Sequence, residues 1–261
     1  MRKGPLAGKG AVVTGAGRGI GAAIARALAR EGARVVLAAR TRDEVERAAA
    51  ALREDGAEAW ASACDVTEES SVQALGLEAR QRVGRVDILV NNAGQAASAP
   101  LHRITLEEWS RMLAVNATGT FLCTREFFPD MRARGFGRVV NVASISGLEG
   151  ARYIAHYCAA KHAVVGFTRA VAAETEGTGV TVNAVCPAYV DTSMTERTLS
   201  NVEQRTGMTR DEALEAVLGT SGQSRLISAD EVADEVVALC REEAKGRNGE
   251  AVPMRGTGSH G

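Results

Sequence analysis

The sequence predicts an α/β fold, a doubly wound parallel sheet of about seven strands with helices on both faces, in one domain spanning residues 1–261. Three observations predict it. Short β-branched runs alternate with longer alanine-rich helical patterns along the whole chain, as stacked βαβ units require. Glycine, 28 of 261 residues, is enriched over an average of about 7% and stands where helices stop. Finally, 45% apolar residues on a chain of this length can fill one large sheet core, which excludes a disordered or fibrous protein.

The elements follow in order. Residues 10–14 form the first strand, and a helix over 19–31 stops at Gly32. Residues 34–38 form the second strand, followed by a helix over 43–54 that stops at Gly56. Alanines and a tryptophan lead to Cys64 as a weaker third strand. Thr67 is expected to open a helix, with Glu68 and Glu69 favouring its first turn. Residues 86–90 form the fourth strand. Thr105 opens a long helix reaching 134–135, with a kink expected at Pro129. The fifth strand is 138–142, a helix covers 155–174, and the sixth strand is 180–185. A last helix over 229–242 precedes a seventh strand at 250–254. Residues 192–224 break the rhythm, with no strand and polar ends. They are expected to form a mobile substrate loop or lid with little core of its own.

Composition narrows the function. With 31 basic and 32 acidic residues the formal charge is −1, so nothing electrostatic points to nucleic acid or an anionic membrane. Five cysteines lack metal-ligand spacing and read as free thiols of a reducing cytoplasm. The opening Met-Arg-Lys-Gly-Pro is not followed by an apolar stretch, so no secretory signal is expected. A cytoplasmic protein is the expectation.

The chemistry lies at strand ends. The first strand runs into Thr14-Gly15-Ala16-Gly17-Arg18-Gly19-Ile20-Gly21 and then a helix. Glycines there turn the chain sharply and bring backbone N–H groups against a pyrophosphate at a helix N-terminus. An acid ending the second strand would bind the 2′-hydroxyl of NAD. This strand instead ends Ala38-Ala39-Arg40-Thr41-Arg42, with no acid until Asp43. Arg18 and Arg40 could together pair with a 2′-phosphate, which favours NADP(H) over NAD(H). Asp65, followed by Val66, stands at the tip of the third strand, beside where an adenine would lie; taken alone it is a helix N-cap. Asn91-Asn92-Ala93-Gly94 suits a strand end that bonds its neighbour while its backbone lines a cofactor cleft.

Tyr157 and Lys161 sit at i and i+4, on one face of a helix. Lowering a phenol by three pKa units takes roughly 4 kcal/mol, which a nearby ammonium and a cationic ring could supply. Tyr157 is then a proton donor or acceptor near neutral pH, with Ser144 holding the substrate oxygen.

Taken together, the glycine motif, Asp65, Asn91–Gly94, Asn116, Ser144 and Tyr157/Lys161 resemble the short-chain dehydrogenase/reductases over nearly the whole chain. The resemblance implies a Rossmann-type sheet in the order 3-2-1-4-5-6-7 and a catalytic tetrad of Asn116, Ser144, Tyr157 and Lys161. It implies that the Asn116 backbone holds a proton-relay water and that Lys161 also binds the nicotinamide ribose. The segment from Pro187 through Val190 to Thr192 would fix the nicotinamide amide. Similarity is greatest to 3-oxoacyl-thioester reductases and related ketone reductases. Gln95, Ser146, Glu149, Arg152 and Tyr189 adjoin the motifs as pocket candidates. The family also implies a homo-oligomer, most often a tetramer, joined through the helices over 105–134 and 155–174. Two features depart from its pattern: Ala188 replaces a glycine, and the last strand ends Met254-Arg255-Gly256-Thr257-Gly258 where an acid and two glycines are usual. An NAD-linked secondary-alcohol dehydrogenase and a catalytically silent NADPH-binding regulator are the competing readings.

Overall fold

A computed structural model describes residues 4–257, so the readings of Met1–Lys3 and of Gly258 lie outside the described residues. Seven parallel strands form one sheet in the order β3-β2-β1-β4-β5-β6-β7. They are β1 (Gly10–Thr14), β2 (Arg34–Ala39), β3 (Ala59–Ala63), β4 (Ile88–Asn91), β5 (Gly137–Val142), β6 (Val180–Pro187) and β7 (Ala251–Met254). The order reverses between β1 and β4, and there the carboxyl ends of adjacent strands open a crevice.

Side-chain alternation divides the core between two faces. Val13, Val35 and Val90 point to one face, where α1 (Gly19–Arg30), α2 (Arg42–Glu54) and α9 (Ala229–Cys240) bring Ile24, Leu28, Val45 and Val236. Val12, Val36 and Leu89 point to the other, against Leu75 of α3 (Glu69–Val83) and Phe127 and Met131 of α5 (Gly119–Arg134). Each such aliphatic burial contributes about 1.5–3 kcal/mol, so a sheet covered twice holds its strand ends rigidly. Helix α6 (Ala155–Glu174) adds Val164 and Val165 against Ala184 and Cys186 of β6 and Ala143 just past β5.

Two expectations are corrected, both at the third helix. The third helix starts at Glu69, not Thr67, because the Asp65 carboxylate takes the Thr67 N–H at 3.0 Å and its hydroxyl at 2.7 Å. Those bonds hold residues 65–67 in a turn, so Asp65 is not the N-cap; Glu68 is. The long helix runs on through Pro129, which lies inside α5 on its exposed side. It is divided at Ala114–Thr118, a π-helical turn between α4 (Leu106–Leu113) and α5. Residues 192–224 form α7 (Ser193–Thr206) and α8 (Arg210–Thr220), which pack Leu199, Ala213 and Val217 into a small cluster. Among the described residues, no helix is long and apolar enough to cross a membrane.

Candidate active site

The glycine loop between β1 and α1 is built for close approach. Gly15 (φ +65°) and Gly19 (φ +55°) adopt backbone conformations that side chains rarely tolerate. A Cβ at Gly15 would stand 2.8 Å from the Ala93 Cα, and one at Gly21 would run into the Gly15 carbonyl. Helix α1 has no side-chain cap and no acid in its first turn, so its N-terminal N–H groups face the loop uncovered. Ile20, half-buried, anchors the turn on the core. This cradle fits a dinucleotide pyrophosphate.

The Asn91–Gly94 segment is fixed by side-chain bonds to both neighbouring strands. Asn91 Nδ2 donates to Asn141 Oδ1 (2.9 Å) and Thr124 Oγ1 (3.0 Å). Asn92 Nδ2 donates to the carbonyls of Thr14 (2.9 Å) and Gly15 (3.1 Å). Thr14, which pattern reading passed over, accepts from the N–H groups of Asn92 and Ala93 through one hydroxyl (3.0 Å each). Gly94 then reaches the centre of the site, where a Cβ would stand 2.8 Å from Asn116 Oδ1 and 3.6 Å from Lys161 Nζ.

Around that point the four expected residues converge. Asn116 is buried in the π turn, its amide donating to the Gln95 and Met112 carbonyls at 3.0 Å each. Its own carbonyl accepts the Thr120 hydroxyl at 2.8 Å. Ser144, at the end of β5, accepts the Ser146 N–H (3.1 Å) and donates to the Pro187 carbonyl (3.3 Å). Its hydroxyl also hydrogen-bonds the Tyr157 phenol. Lys161, only 5% exposed, donates to the Val142 carbonyl at 2.8 Å and lies 5.8 Å from the centre of the Tyr157 ring.

Burial shapes both proton affinities. Burial pushes the Tyr157 phenol up to about 12, against the pull of the Ser144 hydrogen bond. In the chain alone desolvation of the phenolate is the largest influence; the expected lowering rests on Lys161 together with a cationic nicotinamide ring. Burial also lowers Lys161 to about 8, opposed by the nearby Cys186 thiol, a neighbour that spacing did not reveal.

The two arginines assigned to the cofactor have different carboxylate neighbours. Arg18 pairs with Glu44 at 2.9 Å, and Glu44, in the first turn of α2, also lies against Gly17. Arg40 is exposed and helps hold the Asp65 carboxyl below its usual range, after the larger effect of the Thr67 N–H. Val66 packs on Gly119, where a Cβ would stand 2.7 Å from its methyl group. Thr192 faces Gly19, at 3.6 Å from a Cβ there, so the segment from Pro187 closes on the glycine loop. Val190 is buried, and Ala188 has no positive φ while donating to the Met254 carbonyl at 2.9 Å, so alanine serves in place of glycine. Of the pocket candidates, Tyr189 is near enough to Tyr157 to raise its proton affinity, Gln95 and Ser146 support Asn116 and Ser144, and Glu149 pairs with Arg255. Arg152 is exposed in the loop before α6. No cluster of three or more metal-ligating side chains is found among the described residues.

A family model for short chain dehydrogenases matches residues 9–203. The chain is 40% identical over 247 residues to the uncharacterized oxidoreductase YxjF of Bacillus subtilis, covering 94% of this chain and 96% of that one. It is 37% identical over 248 residues to a protein of Streptomyces violaceoruber designated ketoacyl reductase 1 of the granaticin polyketide synthase, covering 94% and 91%. Among solved structures, a variant of the actinorhodin polyketide ketoreductase with NADPH superposes with a TM-score of 0.91 at 36% identity, covering 98% of each chain.

Proposed function

The chain belongs to the short-chain dehydrogenase family, oxidoreductases acting on CH–OH/C=O groups, and from that premise we propose an NADP(H)-dependent ketoreductase of 3-oxoacyl thioesters or similar ketones. One observation carries the reading: Ser144, Tyr157, Lys161 and Asn116 converge beside a glycine cradle shaped for a dinucleotide. The nicotinamide, when bound, supplies or accepts the hydride. Gly15, Gly17, Gly19, Ile20 and Gly21 would hold the pyrophosphate, with Asp65, Val66 and Asn92–Gly94 toward the adenosine and ribose. Pro187, Val190 and Thr192 would close over the nicotinamide. Ser144 holds the substrate oxygen and Tyr157, protonated at neutral pH, gives it a proton in the reductive direction. Lys161 orients the ribose and stabilises the phenolate left behind. NADPH is favoured because Arg18 and Arg40 stand where an acid would select NAD.

A homotetramer in the cytoplasm belongs to the same reading. In α6, Ala163, Gly166, Ala170 and Ala173 remain exposed, and nothing lies within 4 Å of a Cβ at Gly166, so the chain's own packing leaves this face open. Phe121, 41% exposed on α5, stacks edge-on against Phe167 beside it.

One observation favours a second reading, an NAD-linked secondary-alcohol dehydrogenase: the Arg18–Glu44 pair places a carboxylate beside the glycine loop. Mixing the protein with NADPH or NADH and a panel of β-keto esters, thioesters and cyclic ketones, and following nicotinamide absorbance, separates them. Faster turnover with NADPH is expected. Turnover of secondary alcohols with NAD and no ketone reduction by NADPH would overturn the first reading.

A further inference from the structure

The departure at the end of the last strand has a structural use. Past β7, the Arg255 guanidinium reaches two elements at once. Its Nε donates to the Ser221 carbonyl at 3.1 Å, and a terminal nitrogen meets Glu149 Oε1 at 2.6 Å. Ser221 caps α8, at the C-terminal root of the arm formed by α7 and α8. Glu149 lies on the opposite wall: its N–H donates to the Ile145 carbonyl at 3.0 Å, one short turn beyond Ser144. Its own carbonyl lies 3.9 Å from Cys158 Sγ, beside Tyr157.

The same root is bound to the floor of the site. The Gln223 amide accepts the Tyr189 N–H at 2.8 Å and donates to the Tyr189 carbonyl at 3.1 Å. The Gly256 carbonyl accepts from Ser224 (2.9 Å) and Arg225 (3.1 Å), and a Cβ at Gly256 would collide with the Arg225 carbonyl. Tail, arm root and Tyr189 therefore form one bonded unit. The Arg255–Glu149 pair joins that unit to the wall bearing Ser144 and Tyr157.

We propose that Arg255 and Glu149 form a latch that fixes the arm root against the Ser144–Tyr157 wall and so sets the width of the substrate cleft. Arg255 is a positioning residue and touches no reacting atom. Its fork suits the task, since Nε serves Ser221 while the terminal nitrogen serves Glu149; a lysine offers a single point charge and meets only one of them. The pair is solvent-exposed, with side chains 32% and 59% accessible, so its effect on substrate binding is modest.

The kinetic part of this inference rests on the ketoreductase reading; the structural part does not. The test is a cycle of R255A, E149A and R255A/E149A, with R255K alongside, read by hydrogen exchange at residues 219–226, by NADPH dissociation constant and by ketone KM. Each single alanine variant should speed exchange at the arm root and raise KM about three- to fivefold, with NADPH affinity unchanged. R255A, which also loses the Ser221 bond, should have the larger effect; the double variant should do no more than R255A alone, and R255K should fall between wild type and R255A. Unchanged exchange in both single variants, or fully additive effects, would overturn the latch. If the wild-type protein reduces no ketone, the functional reading fails, and the exchange cycle still decides the latch.

Discussion

At the scale of the residue, the site depends on two proton affinities that burial drives toward neutral forms. Tyr157 is held up to about 12 and Lys161 down to about 8, the first by loss of phenolate solvation, the second by loss of ammonium solvation. Tyr157→Phe removes one hydroxyl, so fold and NADPH binding should survive while turnover falls by about 10²–10⁴-fold. A Phe variant that binds NADPH and reduces ketones at the wild-type rate would refute the assignment. In the oxidative direction Tyr157 must accept a proton, so the phenolate is the active form and the rate should rise with pH. Lys161→Ala removes a positive charge 5.8 Å from the ring centre, which disfavours the phenolate further. The rising limb of the pH–rate profile should therefore move to higher pH. Glu44 gives a third expectation, because it neutralises Arg18 where a 2′-phosphate would otherwise be met. Glu44→Gln should tighten NADPH by about two- to fivefold and leave NADH nearly unchanged, the size expected of an exposed pair. Fluorescence titration of both coenzymes checks it, and equal effects on the two would remove Arg18 from the phosphate site.

At the scale of the element, the π turn at Ala114–Thr118 and the α7–α8 arm do what regular helices cannot. One extra residue in the turn buries Asn116 among the Gln95 and Met112 carbonyls, while the same helical run continues to Arg134. The arm closes on itself through Leu199, Ala213 and Val217, and Thr209 and Glu212 form a capping box at the start of α8. So small a core holds it weakly beside a sheet covered on both faces. Hydrogen exchange in α7 and α8 should be faster than in β1, β4 and β5, and should slow when NADPH and a ketone bind. Exchange as slow as the sheet's without ligand, and unchanged by ligand, would refute a lid.

At the scale of the whole molecule, the doubly covered sheet explains why so many strand ends can be committed to chemistry. Thr14, Asn91, Ser144 and Pro187 all sit at the carboxyl ends of strands whose bodies are fully buried. The face made by Ala163, Gly166 and Ala170 stays open in the single chain. Light scattering at working concentration should return a multiple of 27.3 kDa, near four chains; a mass of one chain would rule the oligomer out.

The sequence by itself determined the alternation of strands and helices, the positions of the seven strands to within a few residues, and the motif residues gathered at their ends. Period-two and period-3.6 patterns are local, and in buried parallel strands the apolar runs of β1, β2, β5 and β6 admit little else. What tertiary structure alone decided was pairing between distant side chains. Arg18 stands alone in the sequence as a phosphate ligand, and only the fold shows Glu44, 26 positions away, paired with it. Arg255 was a departure from a family pattern until Glu149, 106 positions away, met it. The spacing of Tyr157 and Lys161 could be read locally, but burial, the largest influence on the phenol in the folded chain, depends on everything packed around it and on no local spacing.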